Sequence, residues 1–187
     1  MTGVKTTGLP VPQIQDSTLL RRTFGAFATG VTVVTVGGEE PHGMTANSFT
    51  AVSLDPPLVL VCVERNAIMH DALQRAGTFA VSVLNAEQET VARHFAGRRP
   101  LGAEQFRIVA SAPGALCGAP LIADAAAHFE CELWRTYDGG DHTIFIGRLL
   151  AMAGTADGDV LVFHRGRFGR LEPRIGVLDG AGNGRVT

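Results

Sequence analysis

Two long runs meet at the tetrapeptide "DGGD": "HFECELWRTY" before it and "HTIFIGRLLAMAG" after it. Asp-Gly between apolar runs is the strongest short-range hairpin signal a sequence offers, because glycine reaches the positive φ of a tight turn at no steric cost. Glu132 and Trp134 alternate against Cys131 and Leu133, the period of two that puts one strand face on a core and the other toward solvent. A hairpin of this length commits much of the chain to antiparallel pairing.

The remaining segments agree with it. Val31 to Val36 is β-branched, "GGEEPHG" has turn chemistry, and Met44 to Ser53 returns, which predicts a hairpin with a loose loop. After a Leu-Asp-Pro-Pro turn, Leu58 to Val63 reads as a strand apolar enough for burial on both faces. "TFAVSVL" is a further strand, and "DVLVFHRGRFGRL" gives one more strand and a Gly-rich turn. Three helices are expected. Asp16 or Ser17 caps one that carries Leu19, Leu20, Phe24 and Phe27 and stops at Gly30. "NAIMHDALQRAG" runs from an Asn66 cap to Gly77, and "NAEQETVARHFAG" from an Asn85 cap, with Gln88 at the capping-box position, to Gly97. Six or so strands joined by tight turns, with helices packed outside, predict a mainly β fold: a small closed barrel in one domain over residues 16–172. The segments 1–15 and 173–187, rich in Gly with Thr or Pro, are expected to be flexible tails.

Composition excludes several functions. A formal net charge of −2 and a pI near 6.3 do not fit a nucleic-acid partner, whose phosphates call for a basic face. No apolar run approaches the roughly 20 residues that span a bilayer, and "MTGVKTTGLPVPQIQ" has no apolar signal core. Cys62, Cys117 and Cys131 are odd in number and lack Cys-x-x-Cys spacing, which fits buried thiols in a reducing, cytoplasmic compartment. The six histidines form no metal-binding spacing, so no metal is expected. Neither a phosphate-binding Gly-x-x-x-x-Gly-Lys loop, a Gly-x-Gly-x-x-Gly turn nor a Gly-x-Ser-x-Gly elbow occurs.

What stands out is "MTANS", residues 44–48, a small polar run at the rim of an apolar strand. A planar ring with donor and acceptor edges needs backbone amides, small side chains for close approach and an apolar floor. Thr45, Asn47 and Ser48 offer polar groups, Ala46 leaves the backbone open, and Val61 to Val63 can form the floor. A polar edge strand with no ligand is the competing reading.

Together, "LRRTFGAFATGVTVVTV", "HGMTANSFTAVSLDPPLVLVCVERN", "FAVSVLN", "HFAG", "GDHTIFIGRL" and "LVFHRGRFGRL" resemble the short-chain flavin reductases, the reductase components of two-component flavin-dependent monooxygenases. The resemblance runs from about Leu19 to Leu171. It implies a flavin-binding split β-barrel, Greek-key-like and antiparallel, working as a homodimer that reduces FAD or FMN with NADH and supplies reduced flavin to a monooxygenase. By the same resemblance, Met44, Thr45, Ala46, Asn47 and Ser48, with Val61 and Cys62, line the flavin ring. Arg65, Asn66 and Ala67 lie toward the ribityl phosphate, where a cation and a helix N-terminus favour an anion. Asn85 and Phe95 match further flavin-side positions, although Asn85 caps a helix in any case and Phe95 serves equally as core.

His142 of "GDH" matches the histidine that approaches the nicotinamide, a positioning role, since hydride transfer needs geometry more than a proton. Gly166 and Phe168 of "HRGRFG" match the other nicotinamide-side segment. The residues around Cys62, Glu64 and Arg65 vary within the family, which leaves FAD and FMN both open, with FAD favoured. The lack of an obvious arginine pair for a 2′-phosphate favours NADH. Two rivals share the barrel: a pyridoxamine-phosphate-oxidase-like enzyme, which needs a denser basic cluster than Arg65 and Arg93 provide, and a non-catalytic flavin-binding module, which has no use for His142 and Gly166.

Overall fold

In the computed structural model, residues 16–97, 101–154 and 158–171 are described; the expected tails lie outside them. Helix Ser17–Phe24 (α1) is followed by strands Thr29–Gly30 (β1), Thr32–Val36 (β2), His42–Ala46 (β3), Thr50–Leu54 (β4) and Pro57–Glu64 (β5). Helix Ile68–Ala76 (α2), strand Thr78–Val83 (β6), helix Glu89–Ala96 (α3) and a 3₁₀ turn at Gly102–Phe106 come next. Strands Ser111–Pro113 (β7), Pro120–Ile122 (β8), Ala127–Gly139 (β9), His142–Gly154 (β10), Val162–His164 (β11) and Arg167–Gly169 (β12) complete the described chain.

The "DGGD" hairpin is the spine of the fold. β9 and β10 pair antiparallel from Gly139↔His142 to Ala127↔Gly154, with two register shifts, and bulges of this kind bend and twist a ribbon. Around it lies a seven-stranded antiparallel sheet in the order β3-β2-β6-β9-β10-β5-β4. β1, β11 and β12 form a small second sheet, and β7 pairs with β8.

The edges of the large sheet, β3 and β4, are consecutive in sequence. The expected single return strand from Met44 to Ser53 is therefore two strands, broken at Asn47–Phe49, which pair at opposite edges of the sheet. A local pattern cannot show this, because residues on either side of the break have equally strand-like sequences. Edge β3 is also protected from open pairing. Gln105, almost wholly buried, accepts the Gly43 N–H through Oε1 at 2.9 Å and donates from Nε2 to the Gly43 carbonyl at 3.1 Å.

Two apolar clusters flank β2, all five residues of which are buried. Val34 and Val36 join Val61, Leu73, Phe79 and Phe145, while Val33 joins Leu84, Phe95, Ile122 and Leu161. Burying each such side chain contributes about 1.5–3 kcal/mol. β5, expected to be buried on both faces, is so only in part: Val59, Val61 and Val63 face the core, and on the other face Leu58 is buried whereas Leu60 and Cys62 are half-buried. Gly147 exists for packing, since a Cβ there would lie 2.5 Å from Phe79 Cζ.

The helices are shorter than their apolar spacing predicts. α1 is capped by Asp16, whose Oδ1 accepts from the Thr18 and Leu19 amides, but it ends at Phe24. Gly30 lies in β1, and Phe24 and Phe27 are 70% and 78% exposed, so their spacing marks a face that this chain does not cover. α2 begins after Ala67 rather than Asn66 and stops at Gly77, which takes φ 67°. α3 starts at Glu89. Gln88 Oε1 accepts the Asn85 N–H at 3.0 Å, but Asn85 Oδ1 caps the Glu87 N–H before the helix instead of its first turn.

Candidate active site

At the break between β3 and β4 a side chain prolongs the β4–β5 pairing. Extending the Thr50↔Leu60 register by two residues sets Ser48 opposite Cys62. There Ser48 Oγ accepts the Cys62 N–H and donates to the Cys62 carbonyl, both at 3.0 Å. The hydroxyl takes the place of a ladder pair, and the main chain of 47–49 lies outside both flanking strands.

Beside this seam is a cleft of about 480 Å³ lined by Val31, Thr45, Asn47, Arg93, Phe163, Gly166 and Phe168, with Ala96 and Gly97 of the α3 end. Small side chains, two phenyl rings and an exposed Asn47 amide suit a planar heteroaromatic ring, and the volume is that of a small-ligand pocket. Thr45 is anchored from behind by a 2.6 Å hydrogen bond from Oγ1 to the Ala92 carbonyl of α3. On the opposite wall, β11 and β12 turn through Arg165 (φ 49°) and Gly166 (φ 79°), the paired positive φ values of a tight hairpin. Phe168 packs 5.2 Å from Phe163 and carries the Arg93 guanidinium 4.9 Å above its ring. Glu89 holds Arg93 by an ion pair at 2.6 Å. Thr29 Oγ1, in β1 opposite Phe163, is a buried side-chain oxygen without a partner.

A second group gathers at the tip of the long hairpin. Arg65 Nε–H donates to the Gly140 carbonyl at 2.9 Å, and its guanidinium pairs with Asp138 at 3.1 Å. Its own N–H donates to the Asp141 carbonyl at 3.0 Å. Arg65, expected at a phosphate, is thus committed to bracing the turn. The Gly140 amide and then Arg65 hold the Asp138 carboxyl below its ordinary range. Exposed Asn66 and half-buried Ala67 precede α2, whose start has no side-chain cap, so its first amides are open to an anion. His142 Nδ1 lies 2.7 Å from Asp141 Oδ1. That contact, with help from the Arg21 charge, holds the Asp141 carboxyl below its usual range. An ionised Asp141 accepts from Nδ1–H, which leaves Nε2 to face a ligand.

Thr45, Asn47, Gly166 and Phe168 are therefore brought together, and so are Arg65, Asn66, Ala67 and His142, but in one chain the two groups do not share the cleft. Other expected positions are differently used. Val61 is wholly buried in the core and Phe95 almost so, next to Phe106, because alternation on β5 and the inward face of α3 turn both away from the rim. Ala46 is buried, Met44 packs half-buried on the same core as Val61, and Cys62 is half-buried, its thiol pushed up by burial. Asn85 binds the Asp124 carbonyl through Nδ2 at 2.6 Å. Val31, Phe163, Ala96 and Gly97 were not anticipated in the cleft. Arg93, Ala96 and Gly97 share one face at the end of α3 by their i, i+3, i+4 spacing, which is a signal legible in hindsight.

Residues 24–172 match the model of the flavin reductase like domain. The NADH-dependent FAD reductase of Streptomyces globisporus is 56% identical over 160 residues, 85% of this chain and 88% of that protein. An NADH-dependent flavin reductase of Rhodococcus sp. is 42% identical over 159 residues, 82% of this chain and 85% of that one. Among solved structures, the NADH:FAD oxidoreductase of Streptomyces globisporus C-1027 in complex with NAD and FAD fragments has a TM-score of 0.83 at 54% identity, covering 86% of this chain and 96% of that one. The flavin reductase component of a bacterial two-component tryptophan halogenase has a TM-score of 0.82 at 57% identity, covering 85% of this chain and all of that one. With a barrel split at its β3–β4 seam and a family match over most of its length, the chain belongs to the flavin reductase like domain family.

Proposed function

We propose that this protein is an NADH-dependent flavin reductase: a hydride passes from nicotinamide C4 to flavin N5, a proton is taken from solvent, and NAD⁺ and the reduced flavin leave. The observation that carries the reading is the seam cleft, where Thr45 and Asn47 face Gly166 and Phe168 across a space suited to a ring. Relatives described as NADH-dependent FAD or flavin reductases support the choice of reaction over the two rivals on the same barrel. FAD is the favoured flavin and FMN the alternative. His142 positions the nicotinamide through Nε2, and the uncapped start of α2, at Asn66 and Ala67, receives a flavin phosphate.

The protein works as a homodimer. Trp134, Tyr137, Leu150 and Met152 are exposed along the long hairpin, and Leu54 at the end of β4 is 94% exposed, an apolar surface that a second copy would cover. Dimerisation also supplies a route for the His142 group to meet the seam cleft of the other copy. The reduced flavin serves a flavin-dependent monooxygenase in the cytoplasm, a placement supported by three unpaired thiols. Among the described residues no helix is long and apolar enough to cross a membrane.

NADH oxidation followed at the nicotinamide absorbance band, with FAD, FMN, riboflavin or no flavin added, tests the reading. Turnover that requires added flavin is expected, fastest with FAD. Flavin binding without NADH consumption would make the protein a binding module instead.

A further inference from the structure

A groove of about 1240 Å³ runs between α1 and the β11–β12 hairpin, sharing Gly166 and Phe168 with the seam cleft. Arg21, Arg22, Arg165, Arg167 and Arg170 line it, together with His164, and among the described residues no carboxylate does. In a chain of net charge −2 such a concentration of one sign is costly to assemble, since like charges repel across a space this small. Two of the five act on a carboxylate outside the groove lining: Arg170 pairs with Glu87 at 3.1 Å, and the Arg21 charge helps keep Asp141 ionised.

The macrodipole of α1 accounts for Arg21 and Arg22 on its last turn, but not for three arginines facing them from another element. The two sides are fixed to each other: the Arg165 N–H donates to the Gly25 carbonyl at 2.8 Å, at the C-terminal cap of α1. Arg165 also holds a left-handed conformation that glycine or asparagine adopts at less strain.

We propose that this groove seats the diphosphate of a dinucleotide whose ring end occupies the seam cleft. Guanidinium groups bind phosphate oxygens through paired N–H donors, and several around one space suit two linked phosphates better than one. Asn66 and Ala67 at the α2 start do not line the groove, so a flavin phosphate held there leaves the groove to the nicotinamide cofactor, whereas an FAD diphosphate in the groove would leave the α2 start empty. NADH and FAD both carry the diphosphate, and the inference rests on the reductase reading only for what lies in the ring cleft.

The test uses ADP as probe on the full-length protein, by titration calorimetry, beside the Arg165→Gln/Arg167→Gln and Arg21→Gln/Arg22→Gln variants. Wild type is expected to bind ADP, with affinity reduced about tenfold or more in either variant and weakened when NaCl rises from about 50 to about 300 mM. Riboflavin, which lacks phosphate, should bind all three proteins alike. If ADP competes with FAD in fluorescence quenching, the flavin supplies the diphosphate; if it raises the KM for NADH and leaves FAD binding unchanged, the nicotinamide cofactor does. Absence of ADP binding in wild type, or equal binding in wild type and a folded variant, overturns the proposal. Should one variant fail to fold, the other pair, on a different element, still decides. Loss of the groove proposal with flavin-dependent NADH oxidation intact leaves the reductase reading standing, and the reverse result separates the two in the other direction.

Discussion

Ser48 and Cys62 sit opposite each other in the register of β4 and β5, yet the serine meets its partner's main chain with a side chain, one oxygen serving both the N–H and the carbonyl. Ser48→Ala removes both bonds and leaves two half-buried backbone groups of β5 unpaired. A loss of about 1–3 kcal/mol is expected from urea unfolding, together with weaker FAD binding as segment 47–49 loses its anchor. Unchanged stability would mean that water replaces the hydroxyl at no cost.

His142→Ala should lower kcat/KM for NADH about tenfold or more, through a higher KM or a lower kcat, while flavin affinity measured by fluorescence quenching stays nearly the same. A parallel loss of flavin binding would place the imidazole on the flavin side.

Glu130 is a buried carboxylate beneath the 114–119 loop. Burial alone would raise its pKa, but amide donation from Cys117 at 2.8 Å and Leu116 at 2.7 Å outweighs it, and the net direction is down. A folded-state pKa below the unfolded value means that the carboxylate contributes stability above about pH 4.5 and that this contribution fades as pH falls through the folded value. Thermal melts should show wild type losing stability below that pH. Glu130→Gln should be less stable at neutral pH by about 1–2 kcal/mol and flatter on the acid side.

The thiols should be slow to react in the native protein. Burial is the main cause that pushes Cys117 up to about 11 and Cys131 to about 12, and Cys62 is raised as well. At about pH 8, little thiolate is present to attack. Labelling by a thiol reagent is expected to be slow until denaturant is added, then rapid at all three.

Gly147→Ala tests the packing of the central ribbon apart from the site. The added methyl meets the Phe79 ring and the Cys131 Cβ, 3.0 Å away. A loss of about 1–3 kcal/mol is expected from overpacking, with flavin-dependent turnover of the folded fraction unaltered.

The long hairpin was legible because Asp-Gly turn chemistry and period-two alternation are local and agree with each other. The resemblance pointed to Thr45, Asn47, Gly166 and Phe168, which the structure does bring into one cleft. The split of the Met44–Ser53 segment was not legible, because which edge a strand joins is decided by partners far along the chain. Phe24 and Phe27 misled for a different reason, since apolar spacing implies a covered face without naming what covers it. The arginine groove was hidden by distance: Arg21 and Arg22 lie more than 140 positions from Arg165 and Arg167, and only the docking of α1 on the last hairpin joins them.

Residues 47–49 join the barrel's two sheet edges, so the stretch that brings Asn47 to the cleft lies outside the strand ladder. The sheet is complete with or without a guest. The Ser48 hydroxyl ties this stretch to β5, so a catalyst whose product must depart after every turnover can release it with the main-chain pairing of the sheet intact.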